Sequence, residues 1–100
     1  MGAVVLMETT AAGCVDLAER TRQLLERGDL SWLATACQAR RDGTATDAAA
    51  TLRLLTGAEV EDLAVKRNLV FLQWRTATAK GAAVLAWDQD GKVTAMDVYD

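Results

Sequence analysis

The sequence predicts an α+β domain, three amphipathic helices followed by a curved four-stranded antiparallel sheet. Apolar residues recur at helical spacing as far as "AAATLRLLT" (48–56). Beyond Gly57 the pattern changes to β-branched and aromatic runs of strand length, separated by Gly-containing turns. Helices first and strands second select α+β over an alternating α/β order. At 100 residues the chain is a single domain, residues 1–100, with room for one core.

The first predicted helix is "VDLAERTRQLLER" (15–27), with Leu17, Thr21, Leu24 and Leu25 on one face and most charges on the other. Gly28 stops it in the left-handed C′ role. Asp29 is placed to cap a second helix whose stripe is Leu30, Leu33, Ala34 and Cys37, ended by "RRDGT". Thr46 or Asp47 caps the third, which Gly57 closes. Strands are expected at "VEDLAVK" (60–66), "LVFLQWRTAT" (69–78), "AAVLAW" (82–87) and "KVTAMDVY" (92–99). A break of parity near Glu61 and Asp62 predicts a bulge in the first of them. Residues 1–14 receive no element.

Composition excludes several function classes. A net charge of −3 without a basic stripe gives no footprint for nucleic acid, and Arg40-Arg41 reads as a solvated helix end. No histidine is present, which removes the commonest general base and metal ligand. There is no Gly-rich phosphate loop, Ser-centred elbow or paired-Cys motif, so neither a cofactor nor a metal is called for. "DQDGKV" (88–93) matches the middle of a calcium loop, but Ala86 stands at the first ligand position and strands flank it, so it is a hairpin turn. Cys14 and Cys37 sit in apolar helical patterns as small hydrophobes, which implies a reducing, cytoplasmic setting. "MGAVVLMETT" is apolar for six residues and lacks a basic start, so neither a leader nor a membrane span is expected.

A two-residue loop at Ala79-Lys80 would place Arg75 opposite Val84, and a four-residue loop at Asp88–Gly91 would place Val84 opposite Ala95. One face then gathers Leu63, Val65, Val70, Leu72, Trp74, Leu85, Trp87, Met96 and Val98. The other gathers Phe71, Gln73, Arg75, Ala77, Ala82, Val84, Ala86, Val93, Ala95, Asp97 and Tyr99. Neither is the polar face that a one-sided sheet turns to water. Three single-striped helices cover one face, so a partner on the other is expected, by default a second copy.

"RQLLERGDLSWLATACQ" (22–38), "GTATDAAATLRLLT" (43–56) and the closing "DGKVTAMDVYD" (90–100) together resemble the SnoaL-like branch of the nuclear-transport-factor-2-like (NTF2-like) superfamily, in a shortened form. The resemblance implies a cone with a pocket between sheet and helices, and dimers packed sheet to sheet. It also implies a hydrophobic, oxygenated ligand of polyketide or steroid type, bound or rearranged by proton transfer as in a cyclase or isomerase. Arg75 in "QWRTA" and Asp97 in "AMDVYD" are similar to the Arg and Asp of the epoxide-hydrolase branch, which makes Asp97 the acid–base candidate and Arg75 the charge stabiliser. Phe71, Gln73, Tyr99 and Trp32 are the candidate ligand contacts. Ala77 replaces the second Asp of that branch, and the hairpin expected between the second and third helices is reduced to "ARRDGTATD" (39–47). Both departures argue against epoxide hydrolysis and favour, as the alternative, a non-catalytic dimerisation or binding module.

Overall fold

The structure, a computed structural model, describes the backbone of residues 11–100 and the side chains of residues 16–100. The opening ten residues and the Cys14 side chain lie outside the described residues. Helix α1 runs Ala11–Arg27 and buries Thr21, Leu24 and Leu25. Gly28 ends it at φ 65°, its N–H donating to the Leu24 carbonyl at 2.7 Å. A side chain there would strike the Thr56 hydroxyl, so close contact and backbone sign both require glycine.

The expected second helix does not form. Asp29 does act as a cap, its carboxylate accepting from the Ser31 N–H at 3.0 Å, but it caps a single 3₁₀ turn, Leu30–Trp32. Leu33 then turns extended, and Leu33–Arg41 is a strand, β1. Apolar residues at 30, 33, 34 and 37 fit a helix by spacing, yet tertiary pairing decides. Without β1, the outer edge of the last strand would keep its N–H and C=O groups unpaired. Asp42 (φ 53°) and Gly43 (φ 86°) form a tight turn with two positive φ values, and β2 (Thr44–Thr46) returns antiparallel to β1. The hairpin expected to be reduced is therefore present, and the second helix is the missing piece.

Helix α2 (Ala48–Leu55) begins at Asp47, whose carboxylate accepts from the Ala50 N–H at 2.9 Å. Four strands follow: β3 (Glu59–Lys66), β4 (Leu69–Arg75), β5 (Lys80–Trp87) and β6 (Val93–Tyr99). The sheet has six strands in the order β2-β1-β6-β5-β4-β3. It is mixed, since β1 and β6 are parallel and every other pair is antiparallel. The fold is thus α+β as expected, with two helices and six strands instead of three and four.

The connection after β4 is Thr76–Ala79, closed by the Thr76 N–H donating to the Ala79 carbonyl at 2.7 Å. Arg75 therefore pairs with Lys80, and Phe71 with Val84, a slip of four from the expected register. Val84 pairs with Asp97 instead of Ala95, a slip of two. Even slips leave every side chain on its own face. Val70, Leu72, Trp74, Leu85, Trp87, Met96 and Val98 are all buried beneath the helices. The predicted bulge lies between Val60 and Asp62. A second bulge, between Ala86 and Trp87, was not expected; it pairs Trp87 with Val93 and moves Val93 from the outer face into the core.

Candidate functional site

The inner side of the sheet carries the core of the described residues. Trp74 and Trp87 are 0% and 1% exposed, and aliphatic side chains from both helices and four strands surround them. Each indole N–H is satisfied: Trp74 donates to the Ala82 carbonyl and Trp87 to the Thr21 hydroxyl, both at 3.1 Å. Gly81 makes room for Trp74, because a Cβ there would meet both the Tyr99 carbonyl and the indole edge. The buried polar residues among the described side chains are Thr21 and Thr51, so no carboxylate sits in this core.

Five of the six candidate site residues stand on the opposite, outer side. Phe71, Val84, Asp97 and Arg40 form one row across β4, β5, β6 and β1; Gln73, Ala82 and Tyr99 form the next. Phe71 is 37% exposed and Tyr99 47%. Trp32 is separated from them by the sheet: it packs edge-on against Trp87 on the helix side, with ring centroids 6.2 Å apart. The six residues therefore form no single pocket.

Arg75 and Asp97 do share the outer face, but they do not meet. Four residues along β5 and two inter-strand steps separate them, which amounts to about 16 Å at ordinary strand spacings. Arg75 instead pairs with Glu61 in the β3 bulge at 2.9 Å. Asp97 lies beside Arg40 in the parallel ladder, a neighbour that became visible only once residues 33–41 were a strand.

At the sheet's end, Arg41 holds Asp100 at 2.6 Å, and the Asp100 N–H donates to the Asp42 carboxylate. The Arg41 hydrogen bond holds the Asp100 carboxyl below its usual range. In the 88–92 turn the Asp88 carboxylate accepts from the Asp90 and Lys92 N–H groups, both at 2.9 Å, so its charge serves the turn. Cys37 is a half-buried free thiol, and burial pushes its pKa up. No described helix is long and apolar enough to cross a membrane.

A long first helix, a hairpin, a short helix and a four-strand meander whose last strand returns beside the hairpin make a recognisable topology. A SnoaL-like family protein from Agrobacterium tumefaciens, assigned as an isomerase, superposes with a TM-score of 0.58 at 12% identity over 85% of this chain and 94% of that one. An epoxide hydrolase of the LEH-like type from M. tuberculosis gives 0.57 at 15% identity, over 85% and 80%. A de novo designed NTF2 protein gives 0.53 at 13% identity, over 86% and 82%. The chain has the NTF2-like fold. No protein-family model and no curated sequence matches it. Identities this low carry fold and leave activity open. The designed neighbour makes the same point, since it has the fold without natural ancestry.

Proposed function

We propose that this NTF2-like chain is a non-catalytic association module that pairs with a second copy through the outer face of its sheet. One contrast carries the reading: Trp74 and Trp87 are buried beneath the helices, while the outer face keeps Phe71, Tyr99, Val84, Ala82, Ala86 and Ala95 at least partly open. Small residues along β5 and β6 permit close approach of another sheet, and the two aromatic rings supply anchors. Opposite charges are neighbours on this face, Arg75 with Glu61 and Asp97 with Arg40, so two like surfaces meet without the repulsion that a net charge of −3 would suggest. A two-fold contact needs that self-complementarity.

In this reading Asp97, Arg75, Phe71, Gln73 and Tyr99 are interface residues. A proton-transfer enzyme, cyclase or isomerase, would need the Asp97–Arg75 couple closed around a ligand, and about 16 Å of open sheet separates them at ordinary strand spacings. Sedimentation equilibrium over a concentration series tests the proposal. The native chain should fit a monomer–dimer equilibrium, and Val84→Arg, which sets a charge at the centre of the face, should leave a folded monomer. A native chain that stays monomeric into the millimolar range, or a Val84→Arg variant that still pairs with unchanged affinity, would overturn it.

A further inference from the structure

We propose that Arg20, at the end of the cone where α1 meets the 88–92 turn, is the anion-recognition group of a second site, one that takes the carboxylate of a small planar apolar acid. Arg20 stands at the edge of the apolar stripe of α1, one turn from both Leu17 and Leu24, and is half-buried there. Its guanidinium stands 4.8 Å from the Trp32 ring centre and 5.6 Å from that of Trp87. One Nη donates to the Gly91 carbonyl at 3.1 Å. The Nε is buried and has no hydrogen-bond partner among the described residues. No carboxylate among the described residues pairs with Arg20; the ion pairs formed are Arg41–Asp100 and Arg75–Glu61.

A buried donor without an acceptor is costly, so the arrangement calls for an explanation. Two indole faces stabilise the cation and the Gly91 carbonyl takes one Nη donor, but neither supplies an acceptor for Nε. The missing component is a planar acceptor carrying one negative charge, and a carboxylate matches a guanidinium edge in both shape and charge. A doubly charged phosphate would bring an excess charge against two indoles and one cation, which favours the carboxylate. The rest of the ligand would lie along Trp32, so it must be flat and apolar.

Access is built into the same place. Trp32 sits on a three-residue turn with no fully buried side chain, held by the Asp29 cap and by Lys92 Nζ donating to the Ser31 carbonyl at 2.6 Å. Such a segment opens more readily than the helix and strands beside it. Outward movement of Trp32 uncovers the Nε edge while Thr21 keeps Trp87 in place. This site lies on the helix side of the sheet, so it stands or falls independently of pairing through the outer face.

Benzoate is the probe, with benzamide as its neutral isostere and inorganic phosphate as the competing anion. The readouts are the arginine Nε–H and tryptophan indole signals of the isotope-labelled chain. Benzoate should shift the Arg20 Nε and Trp32 indole signals saturably, and benzamide and phosphate should leave them in place. Arg20→Lys, which keeps the charge and loses the fork, should weaken benzoate binding at least about tenfold. Should that variant fail to fold, Trp32→Leu with Arg20 intact should show the same weakening. An Arg20 Nε signal unmoved by benzoate into the millimolar range would overturn the proposal, as would an equal response to benzamide or phosphate.

Discussion

The two faces of the sheet are made from the same strands and have different chemistry. Inward positions hold Val70, Leu72, Trp74, Leu85, Trp87, Met96 and Val98, all buried, and both indole N–H groups are satisfied within the chain. Outward positions alternate with them and carry small side chains, two exposed aromatics and opposite charges side by side. The interaction surfaces proposed above are the outer face and the Arg20 end of α1, and the shared fold by itself assigns neither.

The contrast can be broken first at Trp74. Trp74→Ala empties the centre of the inner face and should cost about 3–5 kcal/mol in urea unfolding. Phe71→Ala, its outward neighbour three residues away, should cost about 1 kcal/mol or less when measured below the association range. Equal losses would mean that the two faces are not distinct. Next in size is Gly81→Ala. Its Cβ would collide with the Tyr99 carbonyl and crowd the Trp74 indole, a repacking of backbone as well as side chain. A loss of about 1–3 kcal/mol is expected, visible as a lowered urea midpoint at unchanged slope. A neutral result would show that Trp74 is not held against β5.

The smallest effect sharpens the outer boundary of the sheet. The folded state lowers the Asp100 pKa relative to the unfolded chain, so its contact with Arg41 stabilises at pH values above the ordinary carboxylate range. That contribution fades as pH falls through the depressed folded value. Asp100→Asn should therefore remove a small increment at neutral pH and flatten the stability profile at the acid end of the titration. An exposed pair of this kind is weak, and thermal melts at several pH values are the suitable measurement.

Much of this was legible in the sequence, and the reasons differ by element. α1 and α2 announced themselves through periodicity with a cap and a stop, Gly28 at one end and Asp47 at the other. The inner face was legible because period two survives any even slip, and the slips of four and two were both even. Val93 was misplaced because a bulge adds an odd residue, and nothing in "DGKVTAM" marks one. The segment 30–41 failed because four apolar residues fit a helix, while the need to pair an edge of β6 is non-local. One local signal was available: "DG" at 42–43 between two short runs is a hairpin turn, and it had been read as a helix end. Arg20 falls with the charged side of α1 by pattern, and its place against Trp32 and Trp87 follows only from the fold. Arg75 and Asp97 share the outer face because face follows from parity alone, whereas their separation depends on the loop lengths.

Phe71 is the chain's one phenylalanine, which allows both faces to be followed in a single sample. The decisive measurement is a ¹⁹F spectrum of protein labelled with fluorophenylalanine and fluorotryptophan, recorded over a dilution series. If the outer face is where copies meet and the inner face is packed shut, the Phe71 signal moves with concentration while the Trp74 and Trp87 signals stay fixed. A Phe71 signal indifferent to dilution, or buried tryptophan signals that move in its place, would contradict the account.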